Sequence, residues 1–473
     1  MKAFYITTPI FYPNANLHMG HAYSTTIADI IARYHRIKGE EVYFLTGADE
    51  NTEKVVLAAK LIGKTTTEYL DEIVSNFKNL FKKLNISYDQ FIRTSDQKQH
   101  WSGAQELWNR IATVGDLEKR IYKGLYCIGH EAFITEKDLV DGKCPDHNEK
   151  PQILEEENWF FKLSKYGNVI KEKIESGELE ILDNGRKTEI LAFLERGLED
   201  ISFSRSVDKV SVGIPIPDDL TQKMYVWCDA LSNYITALGF GTSDTNLYNK
   251  FWPANVHIIG KDILRFHALI WPAMLLSADL PLPKILLVHG FITSGGRKMS
   301  KSLGNVIDPN ELINIYGAES VRYYLARHIS SFEDSDLTHE TFKEHYNANL
   351  ANGLGNLTSR ILKMSVSNSI KIEIKDKKSF QADSSLEKYD IKSYCDEIWK
   401  EIAELDKSIQ KDEPFKTIKT DKKKGEDQIK ILLESLFEIA CKLEPIMPET
   451  SRTIQTLILE NKMPEKPLFV RKE

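Results

Sequence analysis

The chain has 473 residues, of which 42% are hydrophobic and 28% charged, with a formal net charge of −7. That length exceeds one ordinary core, so two to four domains are expected, and the negative balance excludes a generally polycationic binder while leaving room for a basic stripe on an acidic whole. Five scattered cysteines make no disulfide framework, no apolar run is long enough to span a bilayer, and "MKAFYITTPIF" lacks a signal-peptide layout, so a cytoplasmic protein is expected.

"KAFYITT" (2–8) reads as a buried strand, followed by the turn "PNAN". A helix comes next, with Ile27, Ile30, Ile31 and Tyr34 on one face and Gly39 closing it. "EVYFLTG" (41–47) is a second strand ending at Gly47-Ala48-Asp49. This strand–helix–strand unit implies a parallel sheet with ligands beyond the carboxyl ends of its strands. Leu70, Ile73, Phe77, Leu80 and Leu84 predict a helix over 66–84. From 116 to 220 glycine, proline and charge become dense, which marks an insertion. Alternating strands and helices resume at 223–238, 256–275 and 284–293. After about 340 the pattern is all helical. Two lysine-rich stretches, about 371–390 and 411–428, are expected to be exposed connections, with Lys422-Lys423-Lys424 a solvated turn.

Two stretches carry chemistry. "LHMGH" sits where the first strand hands over to its helix. Such a junction offers free backbone N–H groups and a partial positive charge. His18 and His21 add directed donors, and Gly20 lets a flat ring approach the backbone. The combination suits a nucleotide. "GGRKMSKSLGN" (295–305) is a glycine-rich loop with two lysines, Lys298 and Lys301, and the hydroxyls of Ser300 and Ser302. A mobile loop of this kind can close on a triphosphate and meet charge that grows in a transition state.

"HMGH" and "KMSKS", flanking an insertion in a parallel-sheet domain, resemble the two signatures of class I aminoacyl-tRNA synthetases. "TTPIFYPNANLHMGHAYSTTIADIIARY", "FLTGADENTEK", "YVWCDALSNYIT", "IIGKDILRFHALIWPAML" and "NANLANGLGNLTSR" are similar, in order, to blocks of the methionyl-tRNA synthetase family. The resemblance implies a fold of class α/β. A Rossmann-like parallel-sheet catalytic domain (1–115 and 221–295) would hold an inserted connective domain (116–220). The lysine loop and a link (296–340) would lead to an all-α anticodon-binding domain (341–473). It implies activation of L-methionine by ATP with Mg²⁺ on the triphosphate, then transfer to the terminal adenosine 2′-OH of tRNA(Met). His18, His21, Lys298 and Lys301 would stabilise the phosphates. ATP would also meet Gly20, Gly260, Asp262 and Ser300. Tyr12, Trp227, Ala230, Tyr234, Ile263 and His267 would line the methionine pocket, with Ile10 giving backbone contacts. Asp49 would meet the ammonium, and it has a local argument too, since an acid ending a hydrophobic strand is out of place unless it meets a cation. Aromatic walls suit a thioether, at ~0.3–1.5 kcal/mol per sulfur–ring contact.

In "YCIGHEAFITEKDLVDGKCPDH", Cys127, His130, Cys144 and His147 form two short-turn pairs with the spacing of a tetrahedral zinc knuckle. Relatives often have cysteine in place of His130, so this would be a Cys2His2 variant with structural Zn²⁺. Asn356 and Arg360 lie one helical turn apart and offer planar groups suited to unpaired anticodon bases. Some relatives carry a stacking tryptophan where this chain has Lys442; Phe415 is an aromatic candidate. The alternatives are another class I synthetase and a catalytically inactive tRNA-binding relative. Against the first, valine, isoleucine and leucine enzymes have a larger editing insertion. Against the second, the His18, His21, Lys298 and Lys301 set is intact. Some relatives add a dimerising tRNA-binding domain after the helical region, and its absence from this sequence makes a monomer the expectation.

Overall fold

The computed structural model describes residues 2–127, 132–134, 136, 139–145, 148–299, 305–373 and 383–473. Ala3–Phe11 form β1, longer than the strand expected over 2–8. The strand runs through Pro9 because the ladder shifts register between Thr7 and Ile10, and such an irregularity tolerates a residue without an N–H. The chain continues through α1 (Met19–Ile37), β2 (Glu41–Ala48), α2 (Glu53–Leu61), α3 (Thr66–Lys83), β3 (Gln90–Arg93) and α4 (Ser102–Thr113). Next come β4 (Leu117–Cys127), β5 (Ala132–Ile134), β6 (Gln152–Phe161), α5 (Gly167–Glu175), β7 (Glu180–Ile181) and α6 (Asn184–Glu195). Short strands follow: β8 (Ile201–Ser202), β9 (Ser204–Ser206), β10 (Pro215–Ile216) and β11 (Asp219–Met224). Then α7 (Val226–Thr236), α8 (Asn246–Phe251), β12 (Val256–Gly260), α9 (Trp271–Ser277) and β13 (Ile285–His289) restore the alternation. The next elements are β14 (Ile292–Ser294), β15 (Arg297–Lys298), α10 (Pro309–Tyr316), α11 (Ala318–His328) and β16 (Ser335–Asp336). The rest, among the described residues, is helical: α12 (His339–His345), α13 (Asn356–Ser367), α14 (Ser384–Glu387), α15 (Ile391–Asp412), α16 (Pro414–Thr420), α17 (Lys422–Leu443) and α18 (Pro448–Glu460).

The main sheet has the order β3-β2-β1-β12-β13-β7, and every pair in it is parallel. Its edge strand β7 comes from within 116–220, so that stretch returns to complete the sheet. Side chains alternate between two cores, as strand geometry requires. Phe4, Ile6, Phe44, Val256, Ile258 and Leu287 enter one; Tyr5, Leu45, Ile259, Leu286 and Val288 enter the other. The strand order reverses between β1 and β12, which opens a crevice beyond their carboxyl ends. The first core runs without interruption from the sheet through α1 and α11 into the C-terminal helices. Within it the Arg322–Asp29 pair, 2.7 Å and fully buried, ties α11 to α1. Arg322 also donates to the carbonyls of Ile446 and Pro445, at 2.8 and 2.9 Å, between α17 and α18. β4, β5, β6 and β8 form a separate antiparallel sheet.

The lysine-rich stretch 411–428 is not a connection. It holds the end of α15, all of α16 and the start of α17. Lys422, Lys423 and Lys424 are exposed, as expected, but they form the first turn of α17 instead of a loop. The Asp421 carboxylate caps that turn by accepting the Lys424 amide at 3.1 Å, and Gly425 lets it pack on Ile418. Of the stretch 371–390, residues 374–382 lie outside the described residues, and 384–387 are helical.

Candidate active site

The "HMGH" stretch both starts a helix and faces a cavity. His18 is the N-cap of α1, with extended backbone, and its Nδ1 accepts the Gly20 amide at 3.1 Å. In return His21 Nδ1 accepts the His18 amide at 3.1 Å. Two histidines thus do what Ser and Glu do in an ordinary capping box. An imidazole whose Nδ1 accepts carries its proton on Nε2, so Nε2 is the donor atom of each ring. The rings lie 3.8 Å apart. Burial, then the neighbouring His18 and His289, hold the His21 pKa well below the usual histidine value, so the ring is neutral. Gly20 leaves room for the capping ring, since a Cβ there would lie 2.9 Å from the His18 ring and push it from its place.

A cavity of about 380 Å³ opens at this cap, in the crevice beyond β1, β2, β12 and β13. On one side it is lined by Ile10, Tyr12, Asp49, Trp227, Ala230 and Tyr234, together with Ile263 and His267. On the other it is lined by His18, Gly20, His21, Gly260 and Asp262. Asp49 follows β2 directly, is 3% exposed, and receives the Thr94 hydroxyl at 3.5 Å. Trp227 stacks on Phe266 at 3.7 Å, which presents its ring as a flat wall. Tyr234 and His267 form a rigid polar end. His267 Nδ1 donates to the Ile263 carbonyl at 3.0 Å, so its Nε2 accepts the Tyr234 hydroxyl at 2.8 Å. Burial holds His267 down to about 4, against the raising effect of that carbonyl. Of the residues expected to meet ATP, Ser300 and Lys301 lie outside the described residues, and of Lys298 the backbone alone is described. The hairpin of β14 and β15 that leads to them stands at the cavity rim, and Met299 lines the cavity.

Sequence reasoning missed several neighbours of this site. His289 ends β13 and lines the cavity; its Nδ1 donates to the Gly290 carbonyl at 2.8 Å, and its Nε2 accepts the Ser24 hydroxyl at 2.7 Å. Its signal was in "LLVHG": a titratable group closing a hydrophobic strand, the same anomaly that marked Asp49. Behind Asp49, Asn51 bridges the Thr94 carbonyl and the Asp229 carboxylate at 2.9 and 2.8 Å. His100 holds the other Asp229 oxygen at 2.6 Å. No local pattern announces that buried network, because its members come from 51, 94, 100 and 229.

Outside the cavity, Cys127 ends β4 and Cys144 starts a tight turn; both are buried. The Cys144 amide donates to the Glu149 carbonyl at 2.9 Å, and its carbonyl accepts from the Asn148 amide at 2.7 Å. His130 and His147 lie outside the described residues, and among the described residues no group of three or more metal-ligating side chains is gathered. Asn356 begins α13 and is exposed; Arg360, one turn on, pairs with Asp406 of α15. Lys442 pairs with Glu401, and Phe415 is 42% exposed. No helix among the described residues is long and apolar enough to cross a membrane.

The chain matches the family model "tRNA synthetases class I (M)" over residues 4–152 and 146–362. With a histidine-capped helix beside a parallel-sheet crevice and a lysine-bearing hairpin at its rim, the class is that of the class I aminoacyl-tRNA synthetases. The chain is 43% identical to the methionine--tRNA ligase of Clostridium acetobutylicum, over 96% of this chain and 73% of that protein. It is 40% identical to that of Thermotoga maritima, over 98% and 76%. Its structure superposes on Mycobacterium tuberculosis methionyl-tRNA synthetase in complex with methionyl-adenylate with a TM-score of 0.92, at 32% identity and over 100% of both chains. The chain belongs to the methionine--tRNA ligase family, whose members are ATP-dependent aminoacyl-tRNA ligases.

Proposed function

We propose that the chain activates L-methionine with ATP and transfers it to tRNA(Met), using the cavity at the α1 cap for the first step. The carrying observation is that one cavity joins a buried carboxylate and an aromatic pocket on one side to a histidine-capped helix N-terminus on the other. Asp49 takes the ammonium. The thioether enters between Tyr12, Trp227, Ala230 and Ile263, and its sulfur rests against the Tyr234 and His267 rings, a favourable sulfur–aromatic contact. A methionine carboxylate oxygen then attacks the α-phosphorus of ATP in line, and pyrophosphate leaves with the electron pair of the broken P–O bond. Little proton transfer is needed, so positioning and electrostatics carry the step. His18 and His21 donate to phosphate oxygens, Gly20 and Gly260 admit the base and ribose, and Asp262 faces the ribose. Lys298, Ser300 and Lys301 meet the triphosphate with its Mg²⁺. The terminal adenosine hydroxyl of the tRNA next attacks the acyl carbon, and AMP leaves. ATP–pyrophosphate exchange tests the reading: methionine should drive it, and valine, isoleucine, leucine and cysteine should not. Exchange driven by another amino acid, or by none, overturns it.

The same reading assigns 1–115 and 221–295 to activation, 116–220 to the connective insertion, 296–340 to the loop and link, and 341–473 to the anticodon, with the enzyme working in the cytoplasm. Asn356 and Arg360 are its anticodon contacts. The Arg360–Asp406 pair is no obstacle, because a half-exposed ion pair contributes about 0–1 kcal/mol and releases its guanidinium at small cost. Arg360→Ala should therefore spare methionine-dependent exchange and impair tRNA charging by ~1–3 kcal/mol, by analogy with base readout in a groove. If both activities fall together with the melting temperature, Arg360 only holds α13 to α15.

Cys127 and Cys144, buried at a strand end and in a tight turn, suit a thiolate pair of a structural Zn²⁺ site completed by His130 and His147. Metal analysis of the purified protein should find one zinc per chain, and Cys144→Ser should lower it. A metal-free chain that is folded and active would dismiss this site.

A further inference from the structure

Residues 330–337, between α11 and α12, touch all three elements that face the nucleotide side of the cavity. Tyr23, on the helix capped by His18 and His21, donates its hydroxyl to the Ser330 carbonyl at 3.0 Å. Lys261, between Gly260 and Asp262, reaches both Asp334 carboxylate oxygens, at 2.7 and 2.8 Å. The Lys261 ammonium also lies over the Phe291 ring, 4.4 Å from its centroid, and the Phe291 amide donates to Asp334 at 2.9 Å. The third element is the hairpin that leads to Lys298. Its strand β14 pairs in parallel with β16, and one Asp336 oxygen accepts from both the first arm and the turn of the hairpin. The donors are the Thr293 hydroxyl at 2.9 Å and the Gly296 amide at 2.8 Å.

These segments are packed closely at the base and not at the tip. A Cβ on Gly290 would lie 2.3 Å from the Glu333 backbone, so the two segments meet at the closest approach the chain allows. Gly295 and Gly296, at φ of 62° and 71°, would meet nothing within 4 Å with a Cβ added. The turn is therefore held by the Asp336 hydrogen bond to Gly296 and by the base below it, and not by packing around it. A carboxylate is suited to that task because charge-assisted hydrogen bonds are roughly twice as strong as neutral ones.

We infer that Asp336 is a positioning residue for adenylate formation: by clamping Thr293 and Gly296 it sets the direction in which the hairpin delivers its lysines to the triphosphate. Asp334 does the same for 260–262 through Lys261. The inference rests on the function proposed above and adds to it a fixed frame for the nucleotide half of the site. Misplacing a reacting group by about 1 Å can cost a hundredfold in rate.

Single-turnover formation of methionyl-adenylate at varied ATP tests it, with wild type alongside. Asp336→Ala should lower the rate at saturating ATP on the order of ten- to a hundredfold, with ATP half-saturation moved less than about threefold. Asp336→Asn, whose amide oxygen accepts the same two hydrogen bonds without the charge, should recover part of that rate. Transfer of methionine from preformed adenylate to tRNA should be unchanged in both. An unaltered rate in Asp336→Ala overturns the inference. So does an equal loss of both steps with a lowered melting temperature, which would mark a merely structural residue. Equal impairment of the Asn and Ala variants overturns it as well, because the clamp would then be irrelevant. A wild type that forms no methionyl-adenylate defeats the proposed function instead.

Discussion

His21→Asn is expected to leave α1 folded and to slow methionyl-adenylate formation by about 10²–10³-fold, the usual effect of removing one donor aimed at developing charge. The substitution separates the two duties of the residue. An Asn oxygen sits near the place of Nδ1 and can still accept the His18 amide, so the reciprocal cap survives. Nε2 has no counterpart in Asn, so the donor to phosphate is gone. Because burial and the adjacent His18 and His289 keep His21 neutral, the wild-type donor does not depend on protonation near neutral pH. The measurement is stopped-flow adenylate formation together with a thermal melt. A normal rate in a folded variant would show that His21 serves the helix alone. A collapse of the melt would show that the cap cannot use the Asn oxygen, and His21→Gln, which places a donor near Nε2, would then be the sharper comparison.

Asp49→Asn is expected to raise the methionine concentration for half-saturation by about two to four powers of ten. A carboxylate that is 3% exposed has shed most of its water, and the substrate ammonium replaces it. Removing one member of such a buried pair costs about 3–5 kcal/mol, because the other charge is left without compensation. The shape of the site is kept, since Asn can still accept from Thr94, and the Asp49 amide is held separately by the Phe11 carbonyl at 3.0 Å. ATP half-saturation should change far less. Equilibrium titration with methionine checks the first statement. A methionine analogue lacking the amino group checks the cause: it should bind the variant at least as well as wild type. A variant that loses both ligands equally would mean that Asp49 shapes the pocket and does not pair with the ammonium.

Much of this site was legible from contiguous residues. The apolar spacing of Ile27, Ile30, Ile31 and Tyr34 predicted the buried face of α1, and all four are buried. Ile10, Tyr12, Trp227 and His267 were assigned by resemblance to a family, and the fold brings them to one cavity, although they come from separate blocks. The lysine run at 422–424 is helical and not a turn, for a physical reason. Lysine is a good helix former, so exposed charge distinguishes a solvated surface from a core but not a helix from a turn.

By itself the sequence determined the first strand–helix–strand unit and the helix α3, though not the full length of β1 nor α2, β3 and α4, together with the histidine and lysine motifs and the resemblance to a synthetase family. All of these lie in periodicity or in short runs, where neighbours in the chain are neighbours in space. Only the tertiary structure decided what meets across long separations. Thr7 pairs with His257 across β1 and β12, and that pairing opens the crevice. Arg322 finds Asp29, Arg360 finds Asp406, and Asp336 finds Thr293 and Gly296. A carboxylate three or four residues from its partner can be seen in a sequence, because helix geometry sets that distance. A carboxylate tens or hundreds of residues away cannot, because its partner is chosen by how sheets and helices stack, and the chain carries no periodic mark of that choice.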